Sequence, residues 1–298
     1  MLRMRPAGVN RARVMDRLDT ARRGGSFRPV TGPDFHRIRL TLHYDGRDFH
    51  GWQVQPGQRT VQGELERVLS RLLDRPSPVI GSGRTDRGVH ATGQVAACDV
   101  PAKWTPHSLR RAMNALLPGD VWVAEAVGAL PGFHPRYDAI ARSYVYRLGL
   151  SPEADSPFRS PWCWALARPV DLGAMERAAA MIVGDHSFKS FAKAGQEERG
   201  DRCTIAEARW EPWEGGGLRF HITGNRFLHH MVRYLVGTMV DIGLGERPEA
   251  EMAALLEPAD ELETSPPAPP EGLFLAAVTY PPNAGADRVP RGPRLVTS

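Results

Sequence analysis

The chain predicts an α+β fold of two ferredoxin-like halves, each running β-α-β-β-α-β. Three observations carry that expectation. Strand-like alternation and helix-like spacing are interleaved along the chain, the interleaved order is written twice, and turn residues separate the pieces. Two such halves with pseudo-two-fold symmetry would form a mainly antiparallel sheet with helices on one side and a central cleft.

The first half opens with Ile38, Leu40, Leu42 and Tyr44 alternating with polar residues, as a half-buried strand does. Val61, Leu65, Val68, Leu69 and Leu72 then follow helical spacing. Apolar runs at Val79 to Ser82 and Gln94 to Val100 predict two strands. A helix at Pro106 to Leu117, closed by Pro118-Gly119, and a strand at Val121 to Val127 complete this half. The second half repeats the order, with a strand at Arg142 to Leu150, a helix at Leu172 to Val183 and strands at Thr204 to Trp213 and Leu218 to Thr223. A helix at Phe227 to Ile242 and a strand at Leu273 to Tyr280 follow, with Thr264 to Glu271 and its four prolines as the loop between them. The expected division is 37–130 and 131–282. Residues 1–36 and 283–298, which sustain no period, are expected to be disordered or mobile.

A chain of 298 residues with 42% apolar content is long enough for one large domain or two halves with real cores. No run approaches the roughly 20 apolar residues of a membrane span, and the start lacks the apolar stretch of a signal peptide, so a soluble protein is expected. Cys98, Cys163 and Cys203 are odd in number and far apart, which argues against a disulfide framework or a cysteine zinc site and fits a reducing cytoplasm. The net charge of +4 is unevenly placed: residues 1–36 carry +5 and residues 287–298 carry +2, leaving the body at −3. Any nucleic-acid surface on the body must therefore be a local patch. Glu246 to Glu263, with seven acids and one arginine, reads as a solvated face turned away from any polyanion. Arginine outnumbers lysine 35 to 3, which codon bias explains as well as phosphate contacts do.

Chemistry concentrates in Gly81 to Gln94, G-S-G-R-T-D-R-G-V-H-A-T-G-Q, where four glycines, two arginines, one aspartate and one histidine sit between apolar runs. Glycine lets backbone approach a ligand, and Arg84 and Arg87 flank the single carboxylate of Asp86. A Rossmann fingerprint would need a small residue in place of Asp86 and a helix after it, and a P-loop would need G-K-S or G-K-T. A hairpin in which Asp86 merely caps a turn is the structural alternative. Met231 to Val240, M-V-R-Y-L-V-G-T-M-V, predicts a buried helix whose one charge, Arg233, needs a carboxylate. Asp86 is a candidate partner, and the pairing would hold it ionised in a dry cleft. A structural ion pair with another acid, or an arginine reaching the rim, is the alternative.

These residues carry a resemblance. G-R-T-D-R-G-V-H-A-T-G-Q is similar to the signature of the TruA family of tRNA pseudouridine synthases, and further blocks follow in order. They are Tyr44 to Gln55, Thr60 to Glu66, Asn114 to Val121, Phe133 to Ala139, Arg142 to Tyr146, Gly184 to Phe191, Asn225 to Arg233 and Glu271 to Pro281. The resemblance covers residues 37–282. Pro135, where alanine is usual, and Val145 between the tyrosines are departures that touch no implied role.

The resemblance implies an isomerase that converts uridine to pseudouridine in the anticodon stem-loop of tRNA, at positions 38 to 40. It implies no cofactor and no metal, and a homodimer whose two-fold surface holds the tRNA, with the central cleft as the RNA-binding site. By motif, the catalytic aspartate falls on Asp86, the active-site tyrosine on Tyr144 and the basic partner on Arg233. Arg84 matches the arginine that helps displace the target base. The Arg-rich start lies outside the resemblance; a later true start, at Met15, is the simpler explanation, and a mobile arm on RNA is the other.

The chemistry agrees with the residues. Breaking the C1′–N1 bond and rejoining uracil through C5 needs a carboxylate and no redox group. A nucleotide in a stem-loop must be flipped out, with an aromatic ring such as Tyr144 to receive it, whereas Tyr146 reads as core. The ten histidines show no H-E-x-x-H or other metal spacing, and His90, His229 and His230 read as structural or RNA-contacting. A noncatalytic RNA-binding protein on a related fold, and an N-glycosidase releasing uracil, are the alternatives; the first lacks the aromatic signature of its class and the second needs a positioned water.

Overall fold

A computed structural model describes residues 34–193, 200–257 and 262–285. The expectation of disordered ends falls largely outside these residues. Within them, the first strand starts at Phe35 rather than 37, because Phe35 and His36 pair with Pro101 and Val100.

The first repeat is β1 (Phe35–Tyr44), α1 (Val61–Leu73), β2 (Ile80–Gly81), β3 (His90–Pro101), α2 (Pro106–Leu116) and β4 (Val121–Ala129). The second is β5 (Ala141–Gly149), β6 (Trp164–Ala165), α3 (Leu172–Met181), β7 (Gly184–Ser187), β8 (Arg202–Trp213), β9 (Gly217–Gly224), α4 (Met231–Gly243), α5 (Ala250–Leu256) and β10 (Leu273–Thr279). Helix starts are capped locally: Thr60 accepts from Gly63 N–H, Asp171 from Ala174 N–H, and Thr105 and Ser108 form a reciprocal box with Pro106 at the first turn.

All strands join one sheet, ordered β4-β1-β3-β10-β5-β9-β8-β7, with β2 on β3 and β6 on β5. The pairings are antiparallel except β5 with β6 and the seam, where β3 and β10 run parallel. Within each repeat the strand order is that of a split βαβ unit: β4-β1-β3-β2 and β10-β5-β9-β8. The seam joins the third strand of one unit to the fourth of the next, not the like-to-like edges that a two-fold axis normal to the sheet would bring together. The repeat is therefore one of order and strand sense along a continuous sheet. Gly93 permits the seam, since a Cβ there would lie 2.0 Å from the Ala276 carbonyl oxygen.

One face of the sheet carries the helices. Ile38, Leu40 and Leu42 of β1 pack with Leu65, Val68 and Leu69 of α1 and Leu109 and Met113 of α2. Tyr146 and Leu148 of β5 and Phe220 and Ile222 of β9 pack with α3 and α4. Leu273 and Leu275 of β10, two residues apart and so on one face, enter the two cores in turn. Burying about 20 such large side chains at roughly 1.5–3 kcal/mol each is the main term favouring the fold.

Two expectations need correction. The helix expected from Phe227 begins at Met231, because His230 takes a left-handed conformation (φ 65°) and interrupts it. The acidic run is not simply a solvated face. Ala250–Leu256 form a helix that buries Met252, Leu255 and Leu256, and Glu246, Glu249 and Glu251 pair with Arg168, Arg177 and Arg247.

Candidate active site

Asp86 sits in the loop between β2 and β3, and buried polar groups fix that loop on both flanks. Gln94, fully buried on β3, accepts from the Ser82 hydroxyl (2.7 Å) and donates to the Gly83 carbonyl (3.0 Å). The Tyr44 and Thr85 hydroxyls lie 2.8 Å apart in hydrogen-bond contact, and Trp52 N–H donates to the Thr85 carbonyl. Gly88 (φ 81°) then turns the chain so that Val89 N–H donates back to the Asp86 carbonyl. The composition of the motif follows: glycines for the turns, and Gln94 to satisfy backbone that would otherwise be buried unpaired.

The second repeat supplies what faces Asp86. Helix α4 is buried nearly all round, and Arg233, 13% exposed, is the one charge in its first ten residues. Its Nε donates to the Ala268 carbonyl at 2.6 Å, while Ala268 N–H donates to the Arg233 carbonyl at 2.9 Å. The proline-rich loop before β10 thus presents Ala268 to fix the guanidinium. Arg233 Nη1 lies 3.8 Å from Asp86 Oδ2. The left-handed turn at His230 brings two further groups: His229 Nε2 is 3.4 Å from Asp86 Oδ1 and His230 Nε2 is 3.3 Å from Oδ2. Burial holds His230 below the usual imidazole pKa, and its nearest charges pull in opposite directions, Asp86 upward and Arg233 and Lys193 downward. Strain at a non-glycine φ of this kind persists where surrounding structure over-determines it.

Tyr144, on β5, stands edge-to-face with Phe227 at 5.0 Å. Burial first, and the Asp86 carboxylate second, push its hydroxyl up to about 12, and among the described residues that hydroxyl makes no hydrogen bond. Tyr146 is core, fully buried with its hydroxyl donating to the Pro269 carbonyl. Arg84 is exposed and donates to Gln53 at 3.1 Å; the structure does not bring its guanidinium onto Asp86. An open groove of about 630 Å³ leads from Arg233 past Arg87 and Arg47, with Glu271 as its one acid.

Asp86, His229 and His230 also place one ligand-type atom each within 4.8 Å of one another. These are donors that suit a transition metal, although Arg233 already provides positive charge beside the same carboxylate. Sequence spacing could not show this cluster, since Asp86 and the histidine pair are far apart in the chain. Nor did it single out Gln94, whose signal is an amide directly before the apolar residues 95–98 of β3. His90 is structural: 1% exposed, it accepts from Gly46 N–H and stacks on Phe274 at 4.6 Å.

Comparison with known proteins agrees with the ordered blocks. The profile of the tRNA pseudouridine synthase family matches residues 41–138 and 178–281. The chain is 40% identical over 253 residues to tRNA pseudouridine synthase A of Limosilactobacillus fermentum, covering 82% of this chain and 96% of that one. It is 42% identical to the protein of that name from Solidesulfovibrio magneticus, over 82% of this chain and 91% of that one. A third relative so named, from Halalkalibacterium halodurans, is 42% identical over 80% of this chain and 90% of its own length. Both stretches that meet at Asp86, the β2–β3 loop and the start of α4, lie inside the matched residues, and the chain belongs to the tRNA pseudouridine synthase family.

Proposed function

We propose that the chain isomerises uridine to pseudouridine in the anticodon stem-loop of tRNA, at positions 38 to 40, with Asp86 as the reacting carboxylate. The observation that carries this reading is the setting of Asp86: a single carboxylate on a loop locked at both flanks, faced by Arg233 at 3.8 Å from the other repeat. A fixed anion beside a guanidinium can attack the substrate or take its proton without first reorganising the site. The C1′–N1 bond breaks, uracil turns within the cleft, C5 bonds to C1′, the C5 proton is released and N1 takes up a proton, so that the product is an isomer of the substrate.

Flipping a nucleotide costs a few kcal/mol, and stacking on an aromatic ring returns roughly 1–3 kcal/mol. Tyr144 is the ring for this role, its hydroxyl protonated throughout the working pH range. Arg84, exposed and donating to Gln53, reaches into the stem-loop as the target base leaves. The groove at Arg47, Arg87 and Arg233 receives phosphates, a local patch of the kind an acidic body requires. The halves 37–130 and 131–282 both line the cleft that receives the RNA. A homodimer is the assembly we propose, and the cytoplasm the compartment, in keeping with three buried free cysteines. No helix among the described residues is long and apolar enough to cross a membrane.

The test is to incubate the native chain with tRNA, map pseudouridine by position and assay free uracil. Pseudouridine at 38 to 40 without free uracil supports the reading. Free uracil would mean glycosidase action, and tight binding with neither product would mean a noncatalytic binder.

A further inference from the structure

Arg142 of β5 holds an unusual set of partners. Its Nη1 donates to the carbonyl of Asn225 at 2.9 Å and to that of Ala139 at 3.4 Å, and its Nη2 to the carbonyls of Arg136 at 2.8 Å and Ser82 at 3.2 Å. Among the described residues it pairs with no carboxylate, and burial lowers its pKa. A cation needing only charge compensation would be satisfied by one acid at any angle. Four carbonyls are satisfied only when the segments that carry them stand in one arrangement, because the guanidinium fork is planar and rigid.

Those segments root the site. Ser82 opens the loop that presents Asp86, Asn225 opens the turn that presents His229 and His230, and Arg142 itself lies two residues before Tyr144 on the same face of β5. Ser82 belongs to the first repeat and Asn225 to the second, so one side chain bridges the two. Resting on the isomerase reading above, we infer that Arg142 is a positioning residue, a staple that sets the Asp86 loop and the His229–His230 turn in register across the seam.

The test uses the full chain with Arg142→Gln and Arg142→Lys. Amide hydrogen exchange is followed over residues 82–89 and 225–231, with α1 and α2 as internal controls, and kcat and KM for tRNA are measured alongside. Exchange is expected to quicken about tenfold or more in both segments while the helices keep their protection. A misplacement on the order of 1 Å costs about 100-fold in rate, so kcat should fall by about that factor with KM within about threefold of native, and lysine should recover part of the loss. Unchanged exchange in both segments would overturn the inference, as would a raised KM at native kcat, which would mark an RNA contact. Failure of both variants to fold, or faster exchange everywhere, would overturn it in favour of a residue that holds the whole fold. If the native chain forms no pseudouridine, the isomerase reading fails while the exchange measurement still decides the staple.

Discussion

The two repeats follow the same strand and helix order yet contribute to the site by opposite means. In the first, α1 and α2 are ordinary amphipathic helices with one buried face, and the functional group rides on a loop, Asp86 being fixed by Gln94, Tyr44 and Thr85. In the second, the helix itself carries the functional groups: α4 is buried on most sides, and Arg233 and the histidines at its start reach Asp86 from an apolar setting. Duplicating a fold unit therefore does not duplicate its chemistry. In the reading proposed above, one copy supplies the anion, Asp86, and the other the cation, Arg233, which the fold brings to 3.8 Å from each other.

The comparison breaks most visibly at the helix side. Arg233→Met removes both the charge beside Asp86 and the donor to the Ala268 carbonyl, and should lower kcat by about 10²- to 10³-fold in initial-rate assays of pseudouridine formation. A loss below about tenfold would place the counter-charge elsewhere. Tyr144→Ala should cost roughly 1–3 kcal/mol in kcat/KM through lost stacking, and Tyr144→Phe much less. With the hydroxyl pushed up to about 12, the rate profile should show no alkaline limb from Tyr144 below about pH 10. On the loop side, Gln94→Ala removes the acceptor of the Ser82 hydroxyl and the donor to the Gly83 carbonyl and should cost roughly 1–3 kcal/mol in urea unfolding. The exposed Gln53→Ala should stay within about 0.5 kcal/mol of native, and equal losses would mean that the loop is not locked as described.

The smallest effect is with pH. Burial lowers the pKa of His90 in the first repeat and His230 in the second, so the unfolded chain takes up protons first. Stability from these groups is complete above the unfolded imidazole value of about 6.5 and is lost as pH falls through their folded values. Urea midpoints should therefore decline below about pH 6.5, less steeply in His90→Gln; a midpoint flat to pH 5 would show that neither histidine is held neutral by the fold.

How much of this was legible in the sequence depends on where each signal resides. Periodicity located the long strands and α1 to α3 within a few residues, because one-sided burial leaves a period. That Arg233 needs an anion was legible because it is the lone charge in an apolar stretch, but Asp86 was only one candidate, and the fold is what brings the two to 3.8 Å. The start of α4 was not, since Phe227 and Leu228 continue the apolar pattern and nothing in a His-His pair announces a left-handed residue. Nor was the clustering of His229 and His230 at Asp86, which the fold alone creates. Helix α5 was hidden because its apolar face is only Met252, Leu255 and Leu256 within an acidic run. The partners of Arg142 are backbone carbonyls, which carry no side-chain signature at all.

The most direct test of the central claim is a single-turnover measurement with Asp86→Asn, which keeps the shape of the side chain and removes its charge. Tritium release from tRNA labelled at uridine C5 should fall by at least about 10³-fold while thermal unfolding and tRNA affinity stay near native. Release at the native rate by the folded, tRNA-binding variant would contradict the account, because no carboxylate would then be needed where the two repeats meet.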